Sequence, residues 1–151
     1  MTDWQAEASG TAQSQLVPVA ADVLDQLGAL RSIGVYGERL VFELLQKDAA
    51  YTQTVWLNAQ EEAGLPYDII TVHQGQQQFI EVKTSTDARK QLFELSVPEV
   101  REATNRGAGY WLYFVTGAGT PDVAVRRLRP DFHLPQQRAA ALFVHPLGAL
   151  T

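Results

Sequence analysis

Gly64-Leu65-Pro66-Tyr67-Asp68-Ile69-Ile70, followed thirteen positions after Asp68 by Glu81-Val82-Lys83, is the stretch that decides how this chain is read. Alternate side chains of a strand share a face, so Glu81 and Lys83 project together while Ile80 and Val82 turn to the opposite layer. Asp68 opens the preceding strand, and a hairpin through Gly75 brings it alongside Glu81. Two carboxylates and an ammonium then converge. Such a pair of acids, with backbone carbonyls and waters, suits a hard divalent cation such as Mg²⁺ or Mn²⁺, at roughly 2.0 to 2.1 Å per oxygen ligand for Mg²⁺. A lysine beside the cation can orient a water nucleophile or neutralise a scissile phosphate.

Working outward, the segments fall into helices and short strands. Ile33, Gly37, Leu40, Val41, Leu44 and Leu45 form one stripe at the helical period and predict a helix from Ile33 to about Lys47, with Glu38 at the stripe's edge. Before it, Leu16, Val19, Val23, Leu27 and Leu30 predict a helix from about Pro18 to Leu30. Residues 1–15, rich in Ala, Ser, Thr, Gln and Gly, read as a mobile leader, and residues 16–151 as a single domain. Short extended runs follow at Thr52 to Leu57, Tyr67 to His73, Gln78 to Thr84 and Gln91 to Leu95. Ser96 with Glu99 three positions on has the spacing of a capping box, with Pro98 in the first turn and an end near Gly107. Tyr110 to Thr116 is continuously apolar and aromatic, as a strand covered on both faces requires. Val123 to Leu128 alternates as a further strand, and the apolar patch Ala139 to Val144 is of undecided type. The order implies an α/β sandwich, a central mixed sheet of about five strands flanked by helices.

Composition bounds the function. A chain of 151 residues with 46 % hydrophobic and 19 % charged residues is of single-domain size. The absence of cysteine excludes a disulfide scaffold, a thiolate nucleophile, a Cys-ligated zinc and an iron–sulfur cluster. No apolar run approaches a bilayer span, and the acidic first thirty residues lack the pattern of a secretory signal, so a soluble, cytoplasmic chain is expected with no membrane partner. The net charge of −5 argues against wholesale polyanion binding. Its distribution is uneven, however: residues 101–151 hold three acids and six arginines. Arg101, Arg106, Arg126, Arg127, Arg129 and Arg138 are therefore candidates for a phosphate-facing rim, joined by Thr84 beside the lysine.

The Pro66-Tyr67-Asp68 and Glu81-Val82-Lys83 pair resembles the bipartite motif of the PD-(D/E)XK nuclease superfamily, whose fold is restriction-endonuclease-like. Gly34-Val35-Tyr36-Gly37-Glu38-Arg39-Leu40-Val41, Trp56-Leu57-Asn58, Phe79-Ile80-Glu81-Val82-Lys83-Thr84, Phe93-Glu94-Leu95-Ser96, Tyr110-Trp111-Leu112-Tyr113 and Leu128-Arg129-Pro130 extend the likeness. Together they resemble, over about residues 33–131, the domain named after the C-terminal region of the plant protein NO VEIN. The resemblance implies Glu38, Asp68 and Glu81 as ligands of Mg²⁺ or Mn²⁺, Lys83 as a catalytic group, and nucleic acid as partner, DNA favoured over RNA. It also implies phosphodiester hydrolysis in defence, restriction or repair. A nuclease-like module that binds nucleic acid or a protein partner without cutting is the alternative, and a homodimer is a further expectation, since two-fold pairs commonly cut both strands of a duplex.

Simpler readings stand beside these. Asp68 after Pro66 has the chemistry of a turn residue, Glu81 and Lys83 that of a solvated ion pair, and Glu38 that of an exposed helix acid. Gly37 suits close helix packing, and Glu62 a loop hydrogen bond. His73, His133 and His145 lack metal-site spacing. Trp56, Trp111, Tyr110 and Tyr113 read as core or edge aromatics, and Gly117 to Gly119 as a turn, because no lysine follows as in a phosphate-binding loop.

Overall fold

A computed structural model describes residues 14–27, 32–58, 64–130 and, as backbone, 141–144. In chain order the elements are β1 (Gln15–Val17), α1 (Ala21–Leu27), α2 (Ile33–Lys47), β2 (Tyr51–Trp56), β3 (Ile69–His73), β4 (Gln76–Thr84), β5 (Phe93–Ser96), α3 (Val97–Arg106), β6 (Tyr110–Thr116), β7 (Ala124–Leu128) and β8 (Ala141–Val144). Six strands form one sheet in the order β1-β7-β6-β4-β3-β2, and β5 pairs with β8 in a second, two-stranded sheet. Only β4 and β6 run parallel; the other pairs in the large sheet are antiparallel. Among the described residues no helix is long and apolar enough to cross a membrane.

The centre of the sheet follows from β6. Tyr110, Leu112 and Phe114 alternate with Tyr113 and Val115, all five nearly inaccessible, so this strand feeds two cores at once. On one face Val23 and Leu27 of α1 and Leu40, Val41 and Leu45 of α2 pack against Ile69, Ile80, Val82, Tyr113, Val115 and Val125. On the other, Val100 and Ala103 of α3 join Phe93, Leu95, Tyr110, Leu112, Phe114 and Leu128. The parallel β4 and β6 are connected through β5 and α3, which is how the chain crosses that second face.

Two local features aim the polar residues. The β3–β4 hairpin turns on Gln74 and Gly75, with φ of 52° and 76°. Two successive left-handed residues match the twist of a two-residue hairpin, and Gly at the second position adopts that conformation without steric cost. At Gly37 the backbone of α2 lies against the end of β4: a Cβ built there falls 1.8 Å from Thr84 Oγ1. A bare Cα at Gly37 therefore lets α2 settle onto β4 and carries Glu38 to the same end of the sheet.

The helix expected from Ile33 to Lys47 and the strand expected from Tyr110 to Thr116 have those bounds, and the capping box at Ser96 opens α3. Other expectations differ, and the bounds of β2, β3, β4, β5 and β7 fall one or two residues from those expected. The first helix runs over Ala21–Leu27 rather than from Pro18, with residues 28–31 outside the described part. Leu16 lies in β1, which pairs with β7, so Gln15 belongs to the sheet rather than to the expected leader; residues 1–13 are outside the described part. The main sheet has six strands rather than about five, and the patch of undecided type contains strand β8.

Candidate functional site

Asp68 stands one residue before β3, at the mouth of the hairpin, and four hydrogen bonds hold it. Its N–H donates to the carbonyl of Ile80 at 2.7 Å and its carbonyl accepts from Leu57 at 2.9 Å. Asp68 Oδ2 accepts from the backbone N–H of Val82, and Oδ1 from the amide of Asn58, each at 2.8 Å. Upstream, the hydroxyl of Tyr110 donates to the carbonyl of Pro66 at 2.9 Å, so the Pro66-Tyr67-Asp68 segment is tied to β6 as well as to β4. Asp68 is 8 % exposed.

Glu81 and Lys83 project from β4 toward the α3 layer, as strand alternation predicts, while Ile80 and Val82 lie in the core against α2. Glu81 is 7 % exposed. The Lys83 ammonium lies 3.4 Å from Glu81 Oε2 and 2.8 Å from Glu99 Oε1 in the first turn of α3. The structure thus brings Asp68, Glu81 and Lys83 together at the C-terminal end of β4 and adds Glu99, which the sequence marked only as a helix-capping residue.

Glu38 approaches from α2 in a different way. One oxygen, Oε1, accepts from the indole N–H of Trp56 and from the amide of Asn58, both at 3.0 Å. Asn58 therefore links Glu38 to Asp68. Trp56 is more than the edge aromatic it suggests in sequence, because its polar tip orients a candidate ligand. Asn58 lies in a block that resembles the family, yet nothing local in that block singles it out. Among the described residues, no three His, Cys, Asp or Glu side chains close on a common point as a ready-made metal cluster.

The electrostatics are those of a cation-deficient centre. Burial, with the charge of Glu38 added, carries the Asp68 carboxyl up to about 7 against the pull of the Val82 N–H and Lys83. Burial and then the charges of Asp68 and Glu99 push Glu81 to about 10. Burial alone lowers the pKa of Lys83, but Glu81 and Glu99 outweigh it and hold the ammonium charged; Glu99 stays below the usual carboxylate value through Lys83 and the Ser96 N–H despite its own burial. Asp68, Glu81 and Glu99 around one ammonium leave two negative charges in excess when all are ionised. Two hard, desolvated oxygen donors and a surplus of two charges fit a divalent cation of the Mg²⁺ or Mn²⁺ type, with Asp68 and Glu81 as its holders.

The arginines do not gather into one rim. Arg127 bonds the hydroxyls of Tyr51 and Tyr113 and the amide of Gln15 on the α1/α2 face. Arg126 pairs in register with Phe114, which faces the other core. Arg106 lies over the Phe79 ring, 3.6 Å from its centroid, and is paired with Glu102. Arg129 borders a cavity of about 300 Å³ with His73, Gln78 and Trp111, and Arg101 is exposed on α3. Thr84 packs against Gly37. His73 stacks on Tyr51 with centroids 4.5 Å apart, which agrees with a packing histidine. Glu62, His133, Arg138 and His145 lie outside the described residues.

Fold and site together define a mixed α/β domain with a buried Asp–Glu–Lys centre where β3, β4 and α3 meet. The chain belongs to the family described as Protein NO VEIN, C-terminal, whose model matches residues 37–127, more than half of its length. It is 30 % identical over 108 residues to Protein NO VEIN-LIKE of Arabidopsis thaliana, a match covering 67 % of this chain and 16 % of that protein. To Protein NO VEIN of the same plant it is 39 % identical over 56 residues, 36 % of this chain and 2 % of the relative. The chain thus spans a small part of the length of either. Among solved structures it is similar to Archaeoglobus fulgidus Hjc, a Holliday junction resolvase from an archaeal hyperthermophile, at 23 % identity and a TM-score of 0.48, over 77 % of this chain and 94 % of that one.

Proposed function

We propose that this domain is a divalent-metal-dependent nuclease that hydrolyses phosphodiester bonds, with DNA favoured over RNA. One observation carries the reading: Asp68, Glu81 and Lys83 are held together and buried, two carboxyl groups beside one ammonium. Asp68 and Glu81 hold Mg²⁺ or Mn²⁺, and Glu38 acts on the site through Asn58 and Asp68. When bound, the ion supplies a water of lowered pKa and offsets negative charge developing on the phosphoryl oxygens. Lys83 does what the carboxylates cannot. Its ammonium stands beside them, charged, and donates to a phosphate oxygen; a water oxygen–phosphorus bond forms as the ester P–O bond breaks, the attacking water giving its proton to solvent and the departing oxygen taking one from solvent. The Val82 N–H and the Asn58 amide keep the Asp68 oxygens aimed without a rotamer search, which lowers the entropic cost of assembling the site.

The dispersion of the arginines over both faces favours a second reading, a catalytically silent module of the same fold that binds nucleic acid or a protein partner. Incubating the purified chain with single-stranded, duplex and branched DNA and with RNA, in Mg²⁺ or Mn²⁺, separates the two. Metal-dependent DNA cleavage that falls by about 100-fold or more in Lys83→Ala supports the nuclease. No cleavage under any condition, or equal cleavage by the variant, rejects it in favour of the silent module.

A further inference from the structure

We infer that Glu99 is a positioning residue that takes the closer of the Lys83 ammonium's two carboxylate contacts and so keeps Lys83 from closing fully on Glu81, which leaves Glu81 open to a cation. The inference rests on the nuclease reading for its purpose but on geometry for its content. Lys83 and Glu81 are two positions apart on one strand face, and a flexible lysine stem beside a buried carboxylate folds onto it unless something else attracts it. Something does: Lys83 Nζ is 2.8 Å from Glu99 Oε1 and 3.4 Å from Glu81 Oε2. The nearer partner comes from another element, α3, rather than from its own strand.

Glu99 is also fixed where a surface helix acid is free. Its Oε1 accepts from the backbone N–H of Ser96 at 2.9 Å, and Ser96 Oγ accepts from the Glu99 N–H in return. This reciprocal cap keeps the carboxylate in one rotamer at the start of α3. A capping glutamate ordinarily faces water, whereas the Glu99 side chain is 14 % exposed. The same oxygen thus serves two donors, one that defines the helix start and one that belongs to the candidate site. Without its charge, Lys83 keeps Glu81 as its one ion-pair partner within 4 Å among the described residues and competes with a cation for that oxygen.

Substitutions separate this role from capping. Glu99→Gln keeps an oxygen for the Ser96 N–H but removes the charge, whereas Ser96→Ala weakens the cap and keeps the charge. In protein labelled with ¹⁵N at lysine, the ammonium of Lys83, one of three lysines in the chain, gives a protected signal assigned by its loss in Lys83→Arg. That signal is expected to broaden or shift in Glu99→Gln and to persist in Ser96→Ala. With DNA and Mg²⁺, Glu99→Gln is expected to lose about 10- to 100-fold in kcat, with KM within a factor of two, and to need more Mg²⁺ for half-maximal rate. Ser96→Ala should lose thermal stability with kcat retained. A Lys83 signal unchanged in Glu99→Gln overturns the inference, as does a wild-type kcat and Mg²⁺ requirement in that variant. If the wild-type chain cuts nothing, the nuclease reading fails, and the lysine signal alone decides whether Glu99 holds Lys83.

Discussion

Lys83 and Arg127 sit on opposite faces of one sheet, both half-buried, and they keep opposite company. Arg127 is met by neutral acceptors, the hydroxyls of Tyr51 and Tyr113 and the amide of Gln15, and through them it fastens β7 to β1, β2 and β6. Burial pushes the Tyr113 hydroxyl pKa upward, so that partner stays neutral. Lys83 is met by two carboxylates, with a third, Asp68, close by. A cation satisfied by uncharged oxygens completes a structure. One outnumbered by carboxyl groups marks the end of the sheet proposed to take a cation.

The largest effect expected from this contrast is a stability change with metal and pH. The Asp68 and Glu81 carboxyls, at about 7 and about 10 in the fold, hold protons that the unfolded chain releases near 4. The folded state then binds more protons than the unfolded one over that interval. In chelator, the stability these groups contribute is complete below about pH 4, declines as pH rises toward 7 with Asp68 and declines further toward 10 with Glu81. Mn²⁺ requires the ionised carboxylates, so its stabilisation grows with pH, reaching about 2.7 kcal/mol when the ion is at 100 times its Kd. Thermal melts across pH 5 to 8, with chelator and with Mn²⁺, read this directly. A melting temperature insensitive to Mn²⁺ at pH 8 breaks the contrast.

Gly37→Ala sharpens it, because the added methyl meets Thr84 and pushes α2 off the end of β4. A loss of about 1 to 3 kcal/mol is expected by denaturant unfolding, with cleavage weakened because Glu38 and Asn58 shift together. A smaller effect is expected on the opposite face. Tyr113→Phe removes one acceptor from Arg127 and should cost about 1 kcal/mol, with Mn²⁺ binding by calorimetry unchanged. Altered metal binding in Tyr113→Phe would show that the two faces are coupled.

Much of this was legible in the chain. The stripe from Ile33 to Lys47, the apolar run from Tyr110 to Thr116 and the Ser96–Glu99 box are local patterns, and each became the element it announces. Strand alternation placed Glu81 and Lys83 on one face, and the Gln74-Gly75 turn brought Asp68 beside them. What escaped is non-local. Leu16 fits a helical spacing with Val19 and Val23, yet it lies in β1 because β7 offers an edge to pair with. Arginines close together in sequence separate in space, since neighbours on a strand such as Arg126 and Arg127 point to opposite faces.

By itself, then, the sequence determined the set of two carboxyls and a lysine and the strand face that displays it, because periodicity and turn chemistry act over a few residues. Only the tertiary structure decided that Asn58 joins Glu38 to Asp68, that Trp56 steadies Glu38, and that Glu99 is the nearer carboxylate partner of Lys83. Those contacts cross between elements far apart in the chain, and their geometry is set by how α2 and α3 pack on the sheet, which no local pattern encodes.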